Sequence, residues 1–452
     1  MRITLFIFTV LFFMSCSNAE YKKTADGLIV PVKSTKEEIR LQVFNSDIVR
    51  VTVSKPGQPI ADVQSLVTVL KPDATTKWNV AEADEWVTLS TEKIKVAVSP
   101  QTGKVKFLDL QGNVLLQEGN SGGRHHGKEV DPSLNDYGYQ QVFESPVDEA
   151  FYGLGAHQNG EVNYKGLDVE LIQMNIVDVV PFIYSNKNYG ILWDNYSISR
   201  FGDPREYKNL DCLKLSDKNG QAGGLTASYY DKGDHLFVEK TESNINYTHL
   251  ENMDDFPEGF KFNENSKVVW EGYIEPKMAG NHKFKIYVAG YWKVWIDGQL
   301  IKDKWRQVWN PWHDKFYVDM QPGQKKHIKI EWRPDANVSY MGLTCLDPSY
   351  KSQNDLSIYS EAGKQIDYYF VKGENGDEVI SGYRDLTGKS PIMPKWAMGL
   401  WQSRQRYKSQ DELVGVVKEY RKRNIPFDNI VLDWFYWPED KWGDHDFNPE
   451  FW

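Results

Sequence analysis

Cysteine, histidine, a basic excess and long apolar runs are all scarce in this 452-residue sequence. Of the three cysteines, Cys16 sits near the N-terminus, leaving Cys212 and Cys345. Two cysteines do not make a disulfide framework, so they read as buried thiols and not as a bridge. No Cys-x-x-Cys pair and no zinc-type Cys/His spacing occurs, and the expectation is no metal and no cofactor. His125-His126 lies in a Gly-rich, polar stretch and reads as loop; residues 118–139 as a whole read as a mobile loop. Charge is short on the basic side. The 53 Lys and Arg against 63 Asp and Glu leave −10, which argues against a nucleic-acid partner. A composition of 40% hydrophobic and 26% charged residues excludes both a mostly disordered chain and a multi-pass membrane protein.

What is abundant is aromatic: Trp, Tyr and Phe make up 14% of the chain, with 16 Trp and 25 Tyr. Aromatic faces stack on the C–H faces of sugars, so a carbohydrate surface is one reading. A β-rich protein is the other, because aromatic residues also favour strands. The length allows about three domains. At the N-terminus, Arg2 precedes an apolar run from Ile3 to Met14, then Ser15-Cys16. That run falls short of the roughly 20 residues a membrane span needs. It fits the apolar region of a secretory signal, and a Cys after a small residue at its end resembles a bacterial lipoprotein box. The expectation is a lipid anchor on Cys16 and a bacterial cell-envelope location, periplasmic or surface-exposed. An ordinary signal peptide with an incidental Cys is the alternative.

From about residue 28, short runs alternate with period two. Ile39 to Val43, Ile48 to Val53 and Ile94 to Val98 are examples, with turns such as Ser99 to Gly103 between runs. This predicts an antiparallel sandwich. A second all-β segment runs from about 223 to 350; its strands include Lys283 to Val288 and Ile328 to Trp332, and Asp297-Gly298 is a hairpin turn signal. The pattern then changes. Ser409 to Glu412 reads as a capping box. Leu413, Val416, Val417 and Tyr420 follow on one helix face, and Asn429 to Leu432 is a short strand ending at Asp433. With Met398 to Gln402 as a preceding strand, residues 397–433 form a βαβ unit, the opening of a parallel sheet or barrel.

Several of these residues resemble a known family. Phe151-Tyr-Gly-Leu-Gly155, Pro181 to Ser185, Tyr189 to Asp194, Ile366 to Phe370 and Gly382 to Gly388 resemble the N-terminal sandwich of glycoside hydrolase family 31. Pro394 to Ser403 and Asp433 to Trp437 resemble the first two strands of its barrel, and Phe447 to Trp452 resembles the loop just after the second. Within the second segment, Gly224 to Tyr230, Trp270-Glu-Gly272 and Val294 to Gly298 resemble the β-sandwich module named after anthrax protective antigen, which often binds carbohydrate. Asp254-Asp255 is the only Asp pair of the kind its calcium-binding version uses, and it is not assigned to that role. The implied fold is mostly β: an N-terminal β-sandwich interrupted by a second β-sandwich, then the start of a (β/α)8 barrel. The implied segments are a leader at 1–20, sandwich at 21–222, insert at 223–350, the rest of the sandwich at 351–392 and barrel at 393–452.

The resemblance implies a retaining α-glycosidase acting on an oligosaccharide, with xylose removed from the ends of xyloglucan fragments as the expected reaction. Activity on α-glucosides or α-galactosides, or a non-catalytic glycan-binding lipoprotein, are the alternatives. Retaining hydrolysis uses two carboxyl groups about 5–5.5 Å apart. In this family both are Asp residues on later strands of a barrel that takes about 250 residues. The expectation is that the chain stops inside the barrel and carries no catalytic residue, the nucleophile and acid/base being expected beyond Trp452. Glu439, Asp440, Asp444 and Asp446 share one loop and are not recruited as an acid/base pair, nor Asp444-His445-Asp446 as a metal triplet. Asp433 is placed in the subsite for the terminal sugar, walled by Trp434, Phe435 and Trp437; Trp437 and Trp442 could equally be core. Bulk where glucose carries its exocyclic CH2OH would exclude glucose, whereas a missing contact alone discriminates by only about 1–3 kcal/mol. Trp305, Trp309 and Trp312 read either as a sugar-stacking platform or as a loop core.

Overall fold

The computed structural model describes residues 20–174, 177–247, 256–261, 263, 265–306, 313–334, 339–348 and 354–452. Cys16, Trp309, Trp312 and Asp254-Asp255 lie outside the described residues. The chain divides into two compact units, one ending at Thr387 and one beginning at Gly388.

The first unit contains two sandwiches. In the outer one, Ile39, Leu41 and Val43 are buried, and so are Val49, Val51 and Val53 on the adjacent strand. The period-two alternation puts them on the core face. The first of its two sheets has eight strands. Ile366–Lys372, which follows the insert in sequence, is hydrogen-bonded between Ile48–Val53 and Tyr189–Trp193. The facing ten-stranded sheet likewise takes Leu356–Ser360 between Ser199–Phe201 and Asp136–Glu144. Both sheets are therefore completed by chain from beyond the insert. Between them Phe107 stacks on Phe370 at 4.0 Å.

The stretch expected to be a mobile loop is instead a hairpin, Arg124–Asp131 against Asp136–Glu144. Its anchor is Arg124, which donates to Glu118 at 2.7 Å and to Glu37 at 3.1 Å with all three side chains buried. His126 pairs with Glu37 at 2.6 Å. Arg124 and His126 are polar because they join this buried charge network, and most of the other residues of the strand are polar because they face solvent.

The insert forms two sheets of its own. Lys267–Pro276 and Lys326–Arg333 sit inside one, and Gly280–Val288 pairs with Met341–Leu346 and His313–Met320 in the other. No insert strand joins the outer sheets among the described residues. The insert opens earlier than expected: Leu213–Asp217 already pairs with Lys267–Pro276. Leu213 packs into the insert core, while Asp217 to Gly220 forms a turn closed by Gly220 N–H donating to Asp217 O. The polar, Gly-containing stretch before 224 is therefore a turn inside the module and not its border.

The buried-thiol expectation is overturned: Cys212 and Cys345 form a disulfide across 133 positions. The backbones of Lys208 and Cys345 exchange two hydrogen bonds, at 2.8 and 3.3 Å. That register brings Cys212 beside Cys345, a proximity spacing alone cannot reveal. Part of the aromatic excess is now accounted for, since Trp270, Trp292 and Trp332 are buried in the insert core.

In the second unit Trp401–Gln402 and Asn429–Ile430 pair in parallel around the helix Gln410–Lys422. The Ser409 hydroxyl accepts from Glu412 N–H at 3.2 Å. The Glu412 carboxylate accepts from Lys408 N–H at 2.7 Å, one residue earlier than a capping box requires. Both strands are shorter than the sequence predicts, because Lys395–Met398 forms a 3-10 turn and the second strand ends at Ile430.

Candidate functional site

Barrel sites gather at the C-terminal ends of parallel strands. Beyond Ile430, Val431 N–H still donates to Gln402 O at 2.9 Å, and Asp433 follows two residues later. Its Oδ1 accepts from Trp434 N–H at 2.8 Å. No other donor reaches this half-buried carboxylate among the described residues. The remaining lone pairs are the chemistry a sugar hydroxyl pair requires: charge-assisted acceptors held by a local backbone bond.

The predicted wall residues are brought together. Trp434 and Phe435 lie 4.0 Å apart between ring centroids, Phe435 and Trp437 6.0 Å, and Trp442 closes the group at 5.4 Å from Trp434. Phe435 adopts a left-handed backbone conformation, φ 61°. Such a conformation is rare for a bulky side chain and re-aims the ring at this strand end. The Arg406 guanidinium lies over the Phe435 ring at 4.9 Å, a contact no sequence signal announced.

The loop carboxylates are engaged locally or exposed. Asp444 accepts from Asp446 N–H at 3.2 Å and faces Lys441 at 3.8 Å, while Glu439 and Asp440 are exposed. The last residues close a turn: Trp452 N–H donates to Asn448 O at 3.1 Å, and the Trp452 ring lies 5.9 Å from Phe447.

Trp305 is far from these residues in sequence and belongs to the insert, on the strand Gln299–Arg306. It is half-exposed beside Tyr291, with centroids 6.3 Å apart. It borders a cavity of about 370 Å³ between residues 157–170 and Val177 of the outer sandwich and the insert strands Gln299–Arg306 and His313–Met320. The two sandwiches meet there through Asp168. Its carboxylate accepts from the buried Lys283 ammonium at 2.6 Å, from Tyr207 Oη at 2.8 Å and from Asp203 N–H at 2.8 Å. Burial, together with the cations of Lys315, Lys285 and Arg306, holds the His313 imidazole well below its ordinary value. Trp292 and Arg306 also line this cavity and were not singled out in the sequence. Lys302, Lys304 and Arg306 recur at every second residue, which places three cations on one face of a strand. That was the available signal.

Comparison with known proteins bears on both places. Residues 38–201 match the N-terminal galactose mutarotase-like domain of glycosyl hydrolase family 31, residues 390–452 match that family's TIM-barrel domain, and residues 221–333 match the PA14 domain. The crystal structure of a family 31 α-xylosidase from Xanthomonas citri superimposes with a TM-score of 0.82 at 45% identity, over 95% of this chain and 47% of that one. An α-xylosidase of Saccharolobus solfataricus is 25% identical over 413 residues, covering 89% of this chain and 35% of its own length. An uncharacterized family 31 glucosidase of Pseudescherichia vulneris is 36% identical over 150 residues, 32% of this chain and 28% of its own. The chain therefore spans about half of the solved relative and about a third of the curated ones. Two domains of one family, in the family's order and on either side of a PA14 module, place this chain in glycosyl hydrolase family 31.

Proposed function

We propose that the protein is an α-xylosidase that removes terminal xylose from xyloglucan-type oligosaccharides, with Asp433 in the subsite for that terminal sugar. The observation that carries this reading is the likeness to the Xanthomonas citri α-xylosidase over 95% of the chain, sandwich, insert and first barrel strands together. In this reading the Asp433 carboxylate accepts hydrogen bonds from adjacent xylose hydroxyls, and Trp434, Phe435 and Trp437 form the wall against the ring. Xylose lacks an exocyclic CH2OH, so a wall filling that space rejects glucose by clash. No residue up to Trp452 is assigned as nucleophile or general acid.

The test is an assay of the protein in its full encoded length on aryl α-xylosides, α-glucosides and α-galactosides. The expected result is preference for the xyloside, and loss of about a hundredfold in kcat/KM in Asp433→Ala, the cost of leaving charged hydrogen bonds unmade. Preference for the glucoside or galactoside moves the assignment within the family. Glycan binding without turnover supports the binding-protein alternative.

We further propose a lipid anchor at Cys16 in a bacterial envelope. Support comes from the apolar run before it and from the Cys212–Cys345 bond, which belongs to an oxidising compartment. Release of the wild type by buffer without detergent overturns the anchor, and Cys16→Ala is expected to give that release or to block processing.

A further inference from the structure

The cavity between the outer sandwich and the insert contains cations that the fold pairs and one that it does not. On the inner face of Gln299–Arg306, Lys302 and Lys304 both reach Asp314, at 3.2 and 2.6 Å. On the facing strand Lys315 donates to Asp168 O at 2.9 Å. Arg306, next in the same row, has no ion pair among the described residues, and its buried Nε has no acceptor. Burial pulls its guanidinium down to about 10, the expected effect on a cation placed away from water without a partner. Trp292 lies on the neighbouring strand, in register with Lys304 and so one step along the same face from Arg306. It is 1% exposed, and its indole N–H is also without an acceptor.

Two unsatisfied buried donors lining one cavity are uncommon, because buried polar groups in native proteins are hydrogen-bonded. An apolar filling of the cavity would leave both unpaired. A carboxylate would satisfy the guanidinium by a charge-assisted pair. The rest of the lining is mixed: the rings of Trp305 and Tyr317, the amides of Gln158 and Asn159, and the carboxylates of Glu161 and Glu170, which leave the carboxylate of a ligand only the Arg306 end of the cavity to occupy. That combination of ring surface and hydrogen-bonding groups suits a polyhydroxylated ring, and about 370 Å³ accommodates one to two such rings.

We propose that this cavity binds a sugar acid, its carboxylate paired with Arg306, its oxygens accepting from the Trp292 indole N–H, and its ring held between the insert and residues 157–170. The site is separate from Asp433 in the chain and does not depend on the hydrolase reading.

The experiment is isothermal titration of the full-length protein with D-glucuronate and D-galacturonate, with xylose, glucose and acetate as controls. Binding of at least one uronate is expected to be about tenfold or more tighter than binding of the neutral sugars or acetate, and to weaken with added salt. Arg306→Met is expected to remove that preference. Trp292→Phe, which keeps the ring and deletes the N–H, is expected to weaken the uronate several-fold. Circular dichroism checks folding of each variant; if Arg306→Met fails to fold, Arg306→Lys and Trp292→Phe serve instead. Equal binding of glucose and glucuronate overturns the proposal, as do equal binding of acetate, unchanged binding by folded Arg306 variants, and no uronate binding by the wild type. Each is read without turnover, so inactivity on α-xylosides leaves the result interpretable.

Discussion

In the unit that ends at Thr387, Arg50 donates to Asp367 across 317 positions and Tyr368 donates to Glu118 across 250. In the unit that follows, Ser409 caps an amide 3 positions on, and Tyr420 bonds Gln402 across 18. The first region is fixed by pairs that only a finished sheet brings together; the second is fixed by neighbours. The large sandwich side chains are buried almost to completion. Long-range ties demand that distant segments be correct together, so damage to one of them should cost more than damage to a local cap.

The largest effect is expected from Arg124→Met. The substitution leaves the Glu37 and Glu118 carboxylates buried without their shared cation, and breaking a buried pair from one side costs about 3–5 kcal/mol. Urea unfolding followed by circular dichroism measures it. Adding Glu37→Gln and Glu118→Gln should recover part of the loss, since no uncompensated charge then remains. A change under about 1 kcal/mol would mean that the hairpin Arg124–Asp131 is held by its ladder alone.

Next comes the disulfide. Replacing Cys212 and Cys345 by Ser frees a loop of 133 positions, for which about 2–4 kcal/mol is typical. The loss should concentrate in the insert. Limited proteolysis after reduction should therefore cut between residues 213 and 346 before it cuts the outer sandwich. Simultaneous cleavage of both would break the distinction between an autonomous module and a shared core.

This contrast also explains what could be read from the sequence. The period-two strands of the outer sandwich, the separate insert, and the capped helix were legible because each signal lies within a few residues. The hairpin at Arg124 was missed because the partner of Arg124 is Glu37, 87 positions away, and the rest of its strand is mostly polar and exposed. The disulfide was missed because register, not spacing, joins its ends. At the candidate site, the closeness of Trp434, Phe435 and Trp437 was legible from their adjacency in the chain, whereas the end of the strand at Ile430, three residues before Asp433, was not. The cavity lined by Trp292 and Arg306 was not, since it is made by two sandwiches whose contact no local pattern encodes.

Acid titration gives a smaller effect in the same network. Burial would raise the Glu37 carboxyl, but the His126 hydrogen bond and the Arg124 guanidinium outweigh it and hold the group at about 2 against an ordinary 4.5. A depressed carboxylate adds stability that is complete above its unfolded value and is lost as pH falls through the folded one. The contribution is therefore present at pH 5 and above and declines between about pH 4.5 and 2, with a ceiling of about 3.5 kcal/mol. Glu37→Gln should flatten the acid limb of stability over that window relative to wild type. An identical acid limb in both proteins would remove Glu37 from the account.

The smallest effect is expected in the second unit, from Ser409→Ala. The Ser409 hydroxyl accepts the Glu412 N–H at the start of a helix that buries none of its residues fully. The end of a helix contributes to its stability beside whatever its faces pack against. Removing an N-cap hydroxyl typically costs about 1 kcal/mol. The first turn keeps Asp411 and Glu412, and the last keeps Arg421 and Lys422; each favours its end of the helix dipole, so fraying rather than loss of the helix is expected. Hydrogen exchange of the amides at 411–413 is the measurement, with roughly five- to tenfold faster exchange for a cap worth about 1 kcal/mol. Ser409→Asp should restore protection, because a carboxylate caps as well as a hydroxyl and also complements the dipole. Exchange that is unchanged in Ser409→Ala would show that the Glu412 bond to Lys408 N–H alone secures the turn. Faster exchange reaching Tyr420 and beyond would show the helix to be one cooperative unit, and the local character assigned to this region would then have to be given up.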